Sequence, residues 1–322
     1  MPAYQKEDYQ DGFVTTGPEG AACSLSSIPG AVMDPEISIM FQCPFQGGLT
    51  EDMVRVEISP RYNRRILPEY EPQIAAIWEN CCCNKPWLFN GSKFRVHSVA
   101  MERGVLIFRF GLTCYRDFIG TNWSSQAAYL QQRGQVDFED SQAYLAEPLG
   151  VGAMLQTADD YFVFLRRSSH VGEAPGLIDL PGGHPEPKAV ARGIPEELIS
   201  LDDLPEDLVV QELFSSILME IRDEVNLPLS ALSQPLLLGL ARNTTSAGRA
   251  SAEFYVRCSL TAEQVKQFYL TGGPEAEEST SIVFMKWQEL LNLEKNRDIW
   301  KELCPSAKGG VRLFLSVREG CS

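Results

Sequence analysis

Apolar and polar residues alternate in several short stretches of the first half of the chain, which is the pattern of half-buried β-strands. The predicted strands are Ile37–Gln42, Met53–Ile58 and the arms of a β-hairpin, Phe94–Met101 and Val105–Leu112. Helical spacing of apolar residues predicts helices over Pro72–Trp78 and Ser124–Arg133, the second capped by Ser124. Residues 33–150 are therefore expected to form an N-terminal α+β domain.

The second half of the chain mixes short apolar runs with longer helical patterns. The predicted strands are Ala153–Thr157, Tyr161–Leu165, Leu177–Leu180, Leu236–Ala241, Phe254–Cys258 and Ile282–Met285. The predicted helices are Leu208–Val225, Thr261–Leu270 and one across Trp287–Leu303. We expect a second domain over 151–322, interrupted by an exposed acidic insertion at about 188–207. Residues 1–32 are polar and rich in Gly, Pro and Ser, and are expected to be a disordered extension.

The predicted helix Leu208–Val225 carries carboxylates on the side that should be packed. At 100° per residue, the apolar residues from Val210 to Ile221 that recur every three or four positions lie within about 40° of one another. Glu224 falls inside this apolar face, and Glu220 lies at its edge. A buried, unpaired carboxylate costs several kcal/mol. Either a salt bridge to an arginine or a divalent cation must therefore compensate.

The turn Pro181-Gly182-Gly183-His184-Pro185-Glu186 favours the cation. Glycine has no Cβ, so a backbone with two adjacent glycines can come close to a phosphate. Carboxylates four residues apart on a helix project to the same side and can hold a hard cation. The turn and the helix together predict a site for a metal-bound diphosphate.

Composition restricts the partners and the compartment. The net charge of −15 and the absence of a basic stripe argue against nucleic acid. An acidic protein that handles a polyanion needs a bridging cation, for which Mg²⁺ is expected. No apolar run is long enough for a membrane span, and the N-terminus lacks the apolar core of a secretory signal. The nine cysteines, three of them adjacent at 81–83, suit a reducing compartment, so the expected location is intracellular, either cytoplasmic or nuclear.

The turn and the helix resemble the Nudix hydrolases, whose signature is G-x5-E-x7-R-E-U-x-E-E-x-G-U, with U an aliphatic residue. Gly183 matches the first glycine, and the second half is matched by Glu220, Ile221, Asp223, Glu224 and Leu227. The first glutamate is replaced by Ala189, the arginine by Met219 and the second glycine by Asn226. The spacer is expanded to about 29 residues by the acidic insertion. A search with the strict pattern would miss this chain.

Segments outside the motif resemble one divergent vertebrate branch of that family, which acts on uridine diphosphate glucose. They are 85–89, 115–124, 173–177 and 304–308, so the resemblance covers nearly the whole chain from Met33. It implies an α+β fold with a Nudix α/β/α sandwich after the N-terminal domain. It also implies Mg²⁺-dependent hydrolysis of UDP-glucose, and of UDP-galactose, to UMP and hexose 1-phosphate.

The residues expected to act on the pyrophosphate lie on the helix and in the turn. Glu220 and Glu224 are the expected catalytic metal ligands, because a cation held there would neutralise phosphate oxygens. Glu186 is the third expected catalytic residue, as a ligand of a second ion or as the group that orients water; a plain loop carboxylate is the alternative. His184 is expected to hydrogen-bond a phosphate or a sugar hydroxyl, although a turn histidine can also be without function.

The other expected substrate-binding residues surround this centre. Arg167 suits bidentate phosphate contact, and Asp179 suits sugar hydroxyls or a local turn hydrogen bond. Phe89 and Tyr115 are expected to stack on the base or the ribose, with a core role as the alternative. Ser306, together with Lys308, is placed by the sequence in a polar loop from which it can reach the phosphates.

Two other classes of function stay open on the sequence. The metal site does not distinguish UDP-sugars from another nucleoside diphosphate derivative, such as ADP-ribose or a dinucleotide. The damaged motif also suits a non-catalytic Nudix-fold binding module, against which the retained Glu220 and Glu224 argue. A small-molecule nucleotide sugar is the expected partner; the sequence does not indicate a protein partner.

Overall fold

The helices and strands of the structure match those predicted from the sequence through most of the chain. The computed structural model describes residues 34–169, 173–275 and 277–319, so the predicted extension 1–32 lies outside the described residues. The strands in chain order are β1 (Ile37–Gln42), β2 (Val54–Ile58), β3 (Ser92–Glu102), β4 (Val105–Cys114), β5 (Gly150–Gln156), β6 (Tyr161–Arg167), β7 (Ile178–Asp179), β8 (Gly182–Gly183), β9 (Leu236–Asn243), β10 (Arg249–Arg257) and β11 (Ser279–Lys286). The helices are α1 (Glu71–Asn84), α2 (Tyr115–Gly120), α3 (Ala127–Phe138), α4 (Pro187–Val190), α5 (Glu206–Val225), α6 (Ala262–Thr271), α7 (Trp287–Leu291), α8 (Arg297–Glu302) and α9 (Pro305–Glu319).

The larger sheet has the order β1-β9-β10-β5-β6-β11, with β7 beside β6 and β8 beside β5. Only the β5–β10 pair among these strands is parallel; the other neighbours are antiparallel. Its central strands are almost continuously apolar because both faces are covered. Phe214 of α5 meets Phe254, whereas Phe314 of α9 meets the next residue of the strand, Tyr255. Since successive side chains point to opposite faces, α5 and α9 cover the two faces of an α/β/α sandwich, as expected.

The smaller sheet, β2-β4-β3, lies on the other side of α5, which contacts β2. Its antiparallel β3–β4 hairpin turns at Arg103 and Gly104, both with positive φ, 50° and 84°. Such a turn matches the right-handed twist of the two strands. The helix that carries the carboxylates is therefore packed between two sheets.

The domain boundaries predicted from the sequence stay predictions. Asp34–Ser322 forms one compact unit, and β1 pairs with β9 in the larger sheet although it lies before residue 150. The acidic insertion is less exposed than expected, because Ala191 and Leu204 are buried in the main core. Its acidic residues lie on the surface, but the insertion is anchored by these apolar side chains.

Three local predictions were wrong. The helix predicted across Trp287–Leu303 is divided into α7, a short 3-10 turn and α8, because the Asn296 side chain accepts a hydrogen bond from Ile299 N and starts a new helix. The third helix begins at Ala127 rather than at Ser124. Residues after Pro305 form α9, not a polar loop; proline suits the first turn of a helix because its missing N–H has no partner there.

Lys308 of α9 forms an ion pair instead of the phosphate contact that the sequence suggested. Its side chain is buried, and its Nζ contacts Asp34 Oδ2 at 3.3 Å and Glu36 Oε2 at 2.5 Å. Asp34 also accepts a hydrogen bond of 2.6 Å from Trp300 Nε1. Lys308 therefore fixes the start of the described chain against α9 instead of reaching toward a phosphate.

We predict that Lys308→Met lowers the free energy of unfolding by about 2 kcal/mol, because removing one partner leaves a buried carboxylate uncompensated. Urea unfolding followed by circular dichroism measures the loss. Lys301→Met on the exposed side of α8 is the matched control and should change stability little. Equal stability of the two variants would show that the buried ion pair does not hold this segment.

Candidate active site

Helix α5 and the Gly-Gly turn meet through two hydrogen bonds. Glu224 Oε2 accepts one of 2.8 Å from Gly182 N, and Glu220 Oε1 accepts one of 3.1 Å from His184 N. The helix ends just beyond them at Asn226, whose left-handed conformation (φ 62°) is that of a C-terminal cap. Two carboxylates of one helix are thus held against the backbone of one turn.

The two glycines are required by close contacts. A Cβ at residue 182 would collide with the carbonyl oxygen of Val151, and a Cβ at residue 183 would collide with the carboxylate of Glu220. Gly182 and Gly183 form β8, which pairs with β5. The absence of side chains lets the turn lie between the sheet and the helix, directly against the carboxylates.

The two carboxylates lack a salt-bridge partner among the described cationic side chains. Glu224 is only 7% exposed, and neither Glu220 nor Glu224 forms an ion pair with any described residue. The pKa of Glu220 is raised to about 7, mainly by burial and also by the charges of Glu275 and Glu186, against the lowering effect of the hydrogen bond from His184 N. Burial likewise raises the pKa of Glu224 well above its ordinary value. The salt bridge that the sequence left as an alternative is absent from the described part of the chain.

A divalent cation fits this pair. Oxygen donors of carboxylates are the ligands that hard cations prefer, and the uncompensated burial of Glu220 and Glu224 leaves a negative charge to be neutralised. Among the described residues, no three metal-binding side chains are gathered at one point. Mg²⁺ is commonly held by one or two carboxylates and completes its shell with water and phosphate oxygens. The donor set therefore suits an ion that also contacts a phosphate.

Cationic side chains also lie near the turn, around His184. Burial lowers the pKa of His184 well below its ordinary value, and the positive charges of Lys93, Arg249 and Arg167 lower it further. The imidazole is consequently neutral near pH 7. The turn is thus flanked by the two carboxylates, which suit a metal ion, and by cationic side chains, which suit phosphate.

Asp179 brings three of the predicted residues together. Its Oδ2 lies 3.1 Å from Arg167 Nη1, and its Oδ1 accepts a hydrogen bond of 2.8 Å from Ser306 Oγ. Arg167 Nε also donates to the carbonyl oxygen of Glu173 at 3.0 Å. Ser306 reaches this cluster from the first turn of α9 rather than from a loop. Asp179 therefore orients Arg167 beside the turn.

Glu186 is connected to the smaller sheet. Its Oε1 lies 2.5 Å from Nζ of Lys93 on β3, and its backbone N donates to Glu212 Oε1 at 3.0 Å. The Glu186 side chain is 47% exposed, in contrast to Glu224. An exposed carboxylate fixed by a lysine is available to orient water, but its role stays a prediction.

The two predicted aromatic residues lie on the N-terminal side of the site. Tyr115 packs edge-on against Trp78, with ring centroids 6.0 Å apart, and lies beside Phe118. Phe89 is largely exposed and lines a cavity of about 580 Å³ whose wall includes Glu196 and Ile199 of the insertion. The binding roles of Phe89 and Tyr115 stay predictions.

Several residues near the site were missed by the sequence analysis: Lys93, Glu173, Arg249 and Glu253. Glu253 on β10 is fully buried, and neither of its carboxylate oxygens has a hydrogen-bond partner among the described residues. Its side chain fits in space left by Gly152 of β5 and Gly310 of α9. Glu253 directly precedes the predicted strand Phe254–Cys258, and a charged residue beside this apolar run was the available signal in the sequence.

The chain is similar to proteins of the Nudix hydrolase family. The chain is 58% identical over 291 residues to uridine diphosphate glucose pyrophosphatase NUDT22 of Bos taurus, covering 89% of this chain and 99% of the relative. It is 35% identical over 278 residues to Nudix hydrolase 9 of Arabidopsis thaliana, covering 80% and 86%. The solved structure of DR0079 from Deinococcus radiodurans is 17% identical over 55% of this chain and 85% of its own, with a TM-score of 0.32. No protein-family model matches the sequence.

An α/β/α sandwich in which a glycine turn receives the carboxylates of one helix is the arrangement of a Nudix domain. The chain belongs to the Nudix hydrolase family. Within that family it groups with the bovine relative, since the match extends over nearly the full length of that protein. The resemblance inferred from the broken motif and its flanking segments is confirmed.

We predict that Gly183→Ala weakens binding of a divalent cation at least about tenfold, because the added Cβ displaces the Glu220 carboxylate. The fold should survive, since the group in collision is the end of a flexible side chain. Isothermal titration calorimetry with Mg²⁺ measures the affinity. Gly150→Ala is the matched control, because its Cβ would make only ordinary contacts, with Ser251 at 3.4 Å and with the Gly183 carbonyl oxygen at 3.7 Å. Unchanged affinity in Gly183→Ala would contradict the described position of Glu220.

We predict that Glu253→Gln becomes progressively more stabilising as the pH rises from about 4.5 to about 8. Burial raises the pKa of Glu253 from 4.5 to about 8, so the unfolded state loses this proton at lower pH than the folded state. The wild type then loses stability across that window, and glutamine does not. The melting temperature should favour Glu253→Gln by the equivalent of about 4 kcal/mol near pH 8 and by little near pH 4.5. A difference that does not depend on pH would contradict the burial of an ionisable group.

Proposed function

We propose that this protein hydrolyses the pyrophosphate of UDP-glucose, and of UDP-galactose, to UMP and hexose 1-phosphate with Mg²⁺ as its cofactor. The observation that carries the proposal is the pair Glu220 and Glu224, buried on one helix without a cationic partner among the described residues and hydrogen-bonded to the glycine turn. The similarity to a relative named as a UDP-glucose pyrophosphatase supports the choice of substrate.

Glu220 and Glu224 are the proposed ligands of Mg²⁺. Bound between them and the substrate, the ion would neutralise negative charge on the phosphate oxygens as the P–O bond breaks. Hydrolysis of a phosphoric anhydride requires this neutralisation and a positioned water more than it requires a covalent intermediate. The need for a cation also follows from the protein itself, whose net charge is −15.

The remaining polar residues are proposed to position the substrate and the water. Arg167, held by Asp179, presents its guanidinium to a phosphate, and Ser306 keeps Asp179 in place. Neutral His184 is suited to donate a hydrogen bond to a phosphate or sugar oxygen without adding charge. Glu186, fixed by Lys93, is suited to orient the attacking water.

Residues of the N-terminal part of the chain are proposed to bind the uridine. Tyr115 packs edge-on against Trp78 and lies beside Phe118, and Phe89 lines the cavity beside the acidic insertion. Flat aromatic faces are suited to stack on a base and to pack against a ribose. The uracil and the pyrophosphate would then be bound by different parts of the chain.

An intracellular location, cytoplasmic or nuclear, is part of the proposal. All seven cysteines among the described residues are free, which suits a reducing compartment. No helix in the described ranges combines the length and the apolar character needed to cross a membrane. The proposed partner is the nucleotide sugar alone.

We predict that Glu224→Gln lowers kcat by at least about a hundredfold while leaving the circular dichroism spectrum unchanged. Glutamine keeps the acceptor for Gly182 N but removes the charge that holds the ion. Release of UMP at saturating UDP-glucose, with and without Mg²⁺, measures the effect. Asp207→Asn, exposed in the first turn of the same helix, is the matched control and should retain activity. Full activity of Glu224→Gln would refute the assigned metal site.

We predict that the products are UMP and hexose 1-phosphate, because a cation held by Glu220 and Glu224 acts on phosphorus. In ¹⁸O-enriched water the label should enter one of the two phosphate products and not the C1 hydroxyl of the sugar. Mass spectrometry of the products decides this. Release of UDP with free hexose, or equal turnover of ADP-ribose, would overturn the substrate assignment. Tight binding of UDP-glucose without any turnover would identify a binding module instead.

A further inference from the structure

The diphosphate of a nucleotide sugar must be neutralised by more than one cation in this site. Asp179, Glu186, Glu220 and Glu224 all lie around the turn, and the charges of Glu275 and Glu278 act on the same carboxylates. A single divalent ion held by Glu220 and Glu224 offsets only the charge of its own ligands. Cationic side chains must therefore balance the substrate.

Arg249, at the first residue of β10, is placed to supply such a charge. Its Nη1 lies 3.4 Å from His184 Nε2, and the His184 backbone N donates to Glu220. His184 alone therefore connects the Arg249 guanidinium with the proposed metal ligand Glu220. Its side chain is 13% exposed, so it borders the site without being withdrawn from it.

The surroundings of Arg249 orient its guanidinium. The guanidinium carbon lies 5.6 Å from the centre of the Phe118 ring, and Nη2 lies 3.0 Å from Glu173 Oε2. Contact with an aromatic face holds the planar group while its N–H edges stay available for oxygen acceptors. A guanidinium so held has the geometry for two parallel hydrogen bonds to a phosphate.

Arg167 differs from Arg249 in its partners. Arg167 is paired with Asp179 and also donates to the Glu173 carbonyl oxygen, so two acceptors hold it. Arg249 has one carboxylate partner among the described residues, Glu173, and its contact with His184 is long. A phosphate has to displace only that carboxylate to pair with Arg249.

We propose that Arg249 binds the diphosphate of the substrate and that Glu173 competes with the phosphate for its guanidinium. This inference rests on the proposed UDP-sugar substrate and adds to it a second arginine, supplied by the larger sheet and supported by Phe118 of the N-terminal part. Glu173 keeps the guanidinium paired and directed toward the site. The substrate exchanges one charge-assisted contact of Arg249 for another.

The proposal makes opposite predictions for the two partners of one ion pair. Arg249→Met, which keeps the apolar contact with Phe118, should raise the KM for UDP-glucose at least about tenfold, as expected for the loss of a hydrogen bond to a charged group. Glu173→Gln should leave KM unchanged or lower it, because the competing charge is removed. A purely structural ion pair would instead make both variants weaker in binding and lower in melting temperature.

Direct binding separates this effect from turnover. The dissociation constant of the methylene-bridged analogue of UDP-glucose, measured by isothermal titration calorimetry with Mg²⁺, should rise in Arg249→Met and not in Glu173→Gln. In the double variant the benefit of Glu173→Gln should disappear, because the two residues act on one group. Arg257→Met, exposed at the other end of β10, is the matched control and should behave as the wild type.

Arg249→Lys keeps the proposal testable if the methionine variant does not fold. Lysine retains the charge but not the planar pair of donors, so its KM should lie between those of the wild type and Arg249→Met. Unchanged affinity in the folded Arg249 variants, or equal weakening by Glu173→Gln, would overturn the proposal. A wild type that does not hydrolyse UDP-glucose would refute the proposed function itself. The binding assay with the analogue does not depend on turnover, so it would still test the role of Arg249.

Discussion

The burial of two carboxylates without a cationic side chain is the constraint on which this active site depends. Glu224 lies inside the packed face of α5, where an uncompensated charge is costly. Backbone N–H groups of the glycine turn satisfy one oxygen each of Glu224 and Glu220, but they supply no full positive charge. A divalent cation would resolve this imbalance, and under the proposed function it would bring the substrate phosphates to the same turn.

The fold keeps the turn close to the helix by removing side chains where backbones approach each other. Gly182 and Gly183 let β8 lie between β5 and α5, and Gly310 lets α9 pack closely on the opposite face. Ser306, in the first turn of α9, reaches Asp179 and thereby Arg167. The two helices of the sandwich thus contribute different parts of the proposed site, the proposed metal ligands from α5 and support for the proposed phosphate-binding Arg167 from α9.

The periodicity of apolar residues was sufficient to find site residues whose relevant neighbours lie on the same helix. Glu224 was predicted because its position on the helix wheel conflicts with its charge, and the structure places it in the core. Arg249 and Lys93 were missed because their neighbours come from distant strands and turns, and the pattern of one strand does not report such pairs. Helix α9 was missed because Gly309 and Gly310 suggest a loop, whereas here they permit close packing against Ala241 and Leu180.

Proton release on metal binding tests the central claim most directly. If burial without a cation raises the pKa of Glu220 to about 7 and that of Glu224 well above its ordinary value, these groups carry protons near pH 6.5 and must release them when Mg²⁺ binds. Calorimetric titration of Mg²⁺ in buffers of different ionisation enthalpy should then report the release of about one to two protons per ion. Binding without proton release would mean that both carboxylates are already ionised and compensated, and would contradict this account.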